Sequence, residues 1–250
     1  MKKLPLLSIL FLSALAVSCS KDDDNNATEV QGPPVNSETV DATNFKYKQF
    51  FQETESESTR KGIVILAHGD DADENDYTLN DQCVALAQQG YVAITTSYEP
   101  ISGTVENQNA TFKSNIEEVI AGATADFDIP RSKVIIGGLS RGGNSTFALV
   151  LPAQAGITPI TGNKGVILQC SGGDEWKGSA ILFPTAYMSN KTDDVMGVPD
   201  TNVFKNGLAA NANPGVASMS ECLIIDGVGH CGAANYYKPF IVQKVMQWLP

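Results

Sequence analysis

Ser140 stands in Gly138-Leu139-Ser140-Arg141-Gly142, directly after the apolar run Val134-Ile135-Ile136. The spacing G-x-S-x-G places a serine on a sharp turn between a buried strand and a helix, where the flanking positions must be nearly free of side chain. A helix that starts there aims its free N–H groups and its positive dipole end at the serine. Such groups can hold the negative oxygen that forms when an ester carbonyl is attacked. By chance, roughly one chain in ten of this length carries the spacing at average residue usage, so the neighbouring elements must decide. Val134–Ile136 is β-branched and closed by Gly137 and Gly138, and Thr146–Leu151 reads as a helix that Pro152 ends. A dinucleotide loop would need G-x-G-x-x-G. A P-loop would need Lys-Ser/Thr where Gly143-Asn144 stands.

A nucleophilic serine needs a base, and the chain has two histidines, His68 and His230. His230 follows the last apolar run, Cys222–Ile225, and takes the role by position. His68 follows the run Ile63–Ala67 and is read as a structural residue that holds its loop by hydrogen bonds. The acid that orients the base should lie between serine and histidine in sequence. Asp193, in Asn190-Lys191-Thr192-Asp193-Asp194-Val195, is the choice, with Asp194 its close rival and Asp174 or Glu175 more distant ones. Asp226 stands too near His230 along one strand end. The oxyanion hole needs two backbone N–H groups: Arg141, the residue after the serine, and Asp70, in the loop after Ile63–Ala67. The Asp70 carboxylate is expected to point to water, away from the developing charge. This chemistry needs neither a metal nor an organic cofactor.

The elements that must position these groups alternate along the chain. Strands are expected at Ile63–Ala67, Tyr91–Thr96, Val134–Ile136, Val166–Gln169, Ile181–Met188 and Cys222–Ile225. Helices are expected at Leu79–Gln89, Ala110–Ala125, after Ser140, Val203–Ala210 and Tyr236–Leu249. Phe45–Phe51 alternates weakly and reads as an edge strand. Alternation with short links predicts one α/β domain, a mostly parallel sheet with helices on both faces, over residues 43–250. Ligands of such sheets bind outside the carboxyl ends of the strands, where every candidate group above falls. The link from Cys170 to Ala180 is too short for a lid domain, so the site should be an open groove.

Net charge is −11, which makes nucleic acid and anionic lipid surfaces poor partners. The acidic cluster Asp70–Asp76 alternates like a calcium loop, but Asp76 replaces its turn glycine and no glutamate closes it; a solvated loop serving the next helix is preferred. Lys2 and Lys3 followed by the apolar stretch Leu4–Val17 form a targeting segment, residues 1–18. Ala16-Val17-Ser18-Cys19 resembles a bacterial lipobox, which implies cleavage before Cys19 and a lipid on its sulfur. The acidic Ser20–Asp24 is similar to the tag that follows the lipidated cysteine in surface lipoproteins of the Bacteroidetes group. Residues 19–42, with Gly32-Pro33-Pro34, then read as a flexible tether. The resemblance implies an exported protein lipid-anchored to the outer membrane and touching the membrane only through that anchor. Of the remaining cysteines, Cys231 beside His230 is the one expected in a disulfide, its partner unassigned among Cys83, Cys170 and Cys222.

With these residues assembled, the chain resembles the α/β-hydrolase superfamily over nearly all of its expected mature domain. Within it, the likeness is to the branch of dienelactone hydrolases, chlorophyllases and cutinase-like polyester hydrolases. Gly138-Leu139-Ser140-Arg141-Gly142-Gly143 is similar to the chlorophyllase elbow. Trp176, Pro184-Thr185 and Asp193-Asp194-Val195 look like the cutinase-like order of pocket tryptophan, strand and acid. Gly229–Asn235 resembles that branch's histidine loop, where a cysteine also follows closely. The resemblance implies a lidless serine carboxylesterase for short-acyl or polymer-bound esters, with Trp176 flanking the substrate. Cutinase-like enzymes carry a methionine after the serine and an aromatic at the oxyanion position, and this chain has Arg141 and Asp70 there. Other readings are a polyester hydrolase, a peptidase of the same fold, and a surface binding protein that kept the fold without catalysis.

Overall fold

The computed structural model describes residues 33–53, 59–98, 103–152, 157–193, 195 and 201–250. The targeting segment, Cys19 and most of the expected tether lie outside them. Eight strands form one sheet: β1 (Val35–Asp41), β2 (Lys46–Gln52), β3 (Ile63–Ala67), β4 (Val92–Thr96), β5 (Val134–Leu139), β6 (Gly165–Gln169), β7 (Thr185–Thr192) and β8 (Glu221–Val228). Their order across the sheet is β1-β2-β4-β3-β5-β6-β7-β8. β1 pairs antiparallel with β2, and β2 with β4; every other neighbour is parallel.

Side chains of β3 alternate between two cores, as the period of a strand requires. Ile63, Ile65 and Ala67 join the apolar cluster on one face, with Phe112, Ile116 and Val119 of α2 (Val105–Asp126) and Phe147 and Val150 of α3 (Arg141–Val150). Phe204 and Leu208 of α5 (Thr201–Ala209) and Val216 of α6 (Pro214–Met219) extend that layer. Val64 and Leu66 face the other cluster, which holds Leu79, Cys83 and Leu86 of α1 (Tyr77–Ala87) and Ile241, Val245 and Trp248 of α7 (Lys238–Trp248). Because both faces are covered, β3, β4 and β6 read as unbroken buried runs. No helix of the described residues is long and apolar enough to cross a membrane.

Several boundaries differ from the sequence: α2 begins at Val105 instead of Ala110, β5 runs on to Leu139 and β8 spans Glu221–Val228, and the tether and β7 differ most. The tether was expected to reach residue 42, but Val35–Asp41 is a strand. Its residues are mostly polar and half or fully exposed, so no apolar periodicity marks it; backbone pairing with all of Lys46–Gln52 holds it. β2 is therefore covered on both sides and is not the edge. The strand expected at Ile181–Met188 begins only at Thr185, because residues 175–180 form a short helix, α4 (Glu175–Ala180), capped by Asp174. The same strand then runs on to Thr192, so Asp193 is the first residue beyond it.

Candidate active site

The order of the sheet reverses around β3, which lies between β4 and β5. Ala67 and Gly138 are partners in the β3–β5 register, so His68-Gly69-Asp70 leaves the sheet beside Leu139-Ser140-Arg141. Ser140 is the residue between β5 and α3, with φ 52° and ψ −115°. A side chain in that region costs on the order of 1–3 kcal/mol unless the surroundings enforce it. Here they do. Ser140 N–H donates to Gln169 O at 2.8 Å. The Gln169 side chain is in turn locked to Gln82 by reciprocal amide hydrogen bonds of 2.8 and 2.9 Å. The motif glycines meet a steric demand: a Cβ at Gly138 would stand 2.5 Å from Gly142 C, and one at Gly142 would stand 2.4 Å from His68 O.

Ser140 Oγ lies 2.6 Å from His230 Nε2. His230 Nδ1 lies 2.9 Å from both carboxylate oxygens of Asp193. The tautomer that satisfies both contacts carries its proton on Nδ1, donates it toward Asp193 and leaves Nε2 to accept from the serine hydroxyl. Asp193 is 4% exposed. A register irregularity between Asn190 and Thr192 bends the end of β7 just before it. The histidine loop is held from three sides. Asn190 Nδ2 donates to Gly229 O at 2.8 Å, and Tyr237 Oη donates to Asn190 Oδ1 at 2.9 Å. Burial, and then the nearby Asp193 carboxylate, push the Tyr237 phenol up, so it remains a donor. The third tie is a disulfide, Cys170–Cys231, between the end of β6 and the residue after His230. Ser140, Cys170 and Cys231 are all non-glycine residues at positive φ.

Cys231 is thus bridged as expected, and its partner is Cys170, one of the three cysteines left open by the sequence. The pairing could not be read from spacing because it joins strand ends that only the parallel register brings together. Cys83 and Cys222 are free; burial pushes the Cys222 thiol up to about 12 and raises Cys83 further. The bridge closes 61 residues. By chain entropy such a loop is worth about 4 kcal/mol. Reduction with dithiothreitol, or paired Cys170→Ser and Cys231→Ser changes, should lower Tm by on the order of 10 °C in a domain of this size. Activity at a fixed temperature below the new Tm should fall with it, because His230 loses its neighbouring anchor. An unchanged melting curve under reductant would contradict this role.

Ser140, Arg141, Gly69, Asp70, Asp76 and His230 line an open cleft of about 580 Å³ at the carboxyl ends of the strands. Arg141 is the first residue of α3, so its N–H has no acceptor within the helix. Asp70 sits across from it, but its carboxylate does not simply face water: Oδ1 accepts from Arg141 Nη1 at 2.7 Å. His68 is buried, its Nδ1 hydrogen-bonded to Gly69 O at 2.5 Å and its ring stacked on Tyr98 at 4.4 Å between centroids. Asp76 caps α1 by accepting from Leu79 N–H at 2.9 Å.

The rival acids fall elsewhere. Asp174 caps α4, accepting from Lys177 N–H; Glu175 is in that helix's first turn; Asp226 pairs with Lys191 on the surface. Asp194 lies outside the described residues. Trp176, expected beside the substrate, does not line the cleft among the described residues. It lies on α4 and is 47% exposed. The reason is that 174–180 coils into a helix whose Gly178 abuts the α5 backbone at Phe204 and Leu208. A residue two positions away projects from nearly the opposite side of the helix. Tyr237, Asn190 and the Gln82–Gln169 pair escaped the sequence reading; no local pattern marks a polar residue that becomes a buried support.

No family model matches the chain, and no curated protein sequence matches it. Solved structures do. A candidate dienelactone hydrolase from Klebsiella pneumoniae is 14% identical, with a TM-score of 0.62 over 86% of this chain and 98% of that one. Esterase Est2 of Thermogutta terrifontis with butyrate bound is 17% identical, with a TM-score of 0.63 over 88% and 94%. The same esterase phosphoramylated by tabun is 16% identical, with a TM-score of 0.62 over 90% and 96%. At these identities the likeness is one of fold, and the chain has the α/β-hydrolase fold.

Proposed function

We propose that this protein is a serine carboxylesterase that cleaves short-acyl or polymer-bound esters through an acyl-enzyme at an open cleft, and that it is exported and held by lipid on Cys19. The observation that carries the catalytic part is the unbroken contact from Ser140 Oγ through His230 to the buried Asp193. In this reading Ser140 Oγ attacks the ester carbonyl carbon while its proton passes to His230 Nε2. The carbonyl oxygen becomes an oxyanion and takes hydrogen bonds from the N–H groups of Arg141 and Asp70. On collapse the carbon–oxygen bond to the alcohol breaks, and His230 returns its proton to the leaving oxygen. Water, deprotonated by His230, then attacks the acyl-enzyme; acid is released and Ser140 regains its proton. Asp193 accepts from His230 Nδ1 and stabilises the imidazolium. The structurally similar esterase is known with propionate bound, with butyrate bound and phosphoramylated by tabun, which suits an ester-cleaving nucleophile in this fold.

The cleft lining favours small acyl groups. Asp70, Asp76, Arg141 and Asn144 contribute polar surface, and Leu139 and Val195 are the aliphatic side chains among its described residues. Each additional buried CH₂ would gain about 0.8 kcal/mol only if an apolar wall covered it. A panel of nitrophenyl esters from acetate to palmitate, with acetylated xylan, feruloyl esters and a polyester film, tests both activity and class. kcat/KM should be highest for acetate to butyrate, with no activation at a lipid interface. Preference for palmitate over butyrate would contradict the open polar cleft, and no turnover of any ester would remove the reading.

A further inference from the structure

Two segments meet beside Ser140 residue against residue. His68 O accepts from Gly142 N–H at 3.1 Å. Gly69 lies so close that a Cβ there would be 3.3 Å from Ser140 Cβ. Asp70 Oδ1 accepts from Arg141 Nη1 at 2.7 Å. The first contact is backbone to backbone, and the second keeps position 69 small. The third is made by side chains, and it joins the two residues whose N–H groups the proposed mechanism aims at the oxyanion.

We propose that the Arg141–Asp70 ion pair is a positioning clasp that sets the spacing of the two oxyanion-hole donors. The inference rests on the serine-esterase reading. Asp70 and Arg141 lie on different segments, the loop after β3 and the start of α3, and donors must be held to within roughly 0.5 Å to act on a transition state. The residue after Asp70 is Asp71 at φ 57°, so the loop turns sharply there. The clasp also removes an electrostatic conflict. A lone carboxylate at Asp70 would oppose the charge developing on the substrate oxygen; paired with a guanidinium, the two charges largely cancel. The Asp70 hydrogen bond pushes Arg141 up from its ordinary value, so it stays charged in any ester assay. The side chains are 42% and 60% exposed, and an exposed pair of this kind contributes little to folding. Its effect should therefore appear in kcat, with little in Tm.

The test uses full-length protein, nitrophenyl butyrate, and phenylboronic acid as a tetrahedral mimic. Arg141→Ala and Asp70→Ala both keep the backbone N–H and remove one side of the clasp. Each should lower kcat about 3- to 10-fold, with KM within about twofold and Tm almost unchanged. Arg141→Lys, which keeps the charge, should recover most of the loss. The double variant should be no worse than the poorer single one, because either change opens the same clasp. Affinity for phenylboronic acid should fall in step with kcat/KM. Unchanged kcat, strictly multiplicative losses, or raised KM at constant kcat would each overturn the clasp while leaving the esterase reading intact. A wild-type protein that turns over no ester removes both.

Discussion

Replacing Ser140 by alanine is expected to lower kcat by at least ~10³-fold while the protein keeps its fold. The size follows from what the hydroxyl does. With Oγ gone no acyl-enzyme can form, and only the remaining donors and bound geometry assist direct attack by water. The loss should appear at every substrate in the ester panel. Ser140 makes its other hydrogen bonds, N–H to Gln169 O and O from Asn144 N–H, through the backbone, so alanine retains them. Circular dichroism and Tm should therefore match the parent. Residual activity within tenfold of the parent would place the nucleophile elsewhere.

Asp193→Asn should cost roughly 10²- to 10⁴-fold in kcat. Both carboxylate oxygens lie 2.9 Å from His230 Nδ1, so the ring proton is fixed on that nitrogen and Nε2 is free to accept from Ser140. An asparagine can turn its NH₂ toward Nδ1. It then favours the tautomer with the proton on Nε2, which cannot accept from the hydroxyl. The loss of charge also removes the partner of the imidazolium that forms in the transition state. KM should change much less, since Asp193 is buried and does not line the cleft. Asp194→Asn should cost far less than Asp193→Asn; the reverse ranking in steady-state kinetics would move the acid by one position.

Much of this arrangement was legible in the sequence because it rests on signals with a physical period or a required residue type. Buried parallel strands such as Ile63–Ala67 are continuous apolar runs. The elbow must have glycines where the backbone crowds, and with two histidines in the chain the choice of base was narrow. What escaped has no local signature. β1 is held by backbone pairing and carries little apolar pattern. α6 is six residues long, started by Asn213 accepting from Gly215 and Val216 N–H and by Pro214. The Cys170–Cys231 bridge and the Arg141–Asp70 pair each join segments far apart in the chain, and sheet register alone brings them together. The cutinase-like order of elements along the chain points Trp176 toward the substrate, but it lies on a short capped helix and is not among the described residues that line the cleft.

The whole mechanism depends on Ser140 as the covalent nucleophile. Incubation of the purified protein with a fluorophosphonate, followed by peptide mass spectrometry, tests it most directly. Esterase activity should be lost with a single adduct on the peptide containing Ser140, and the Ser140→Ala protein should carry no adduct. An adduct on another residue, or undiminished labelling of Ser140→Ala, would contradict it.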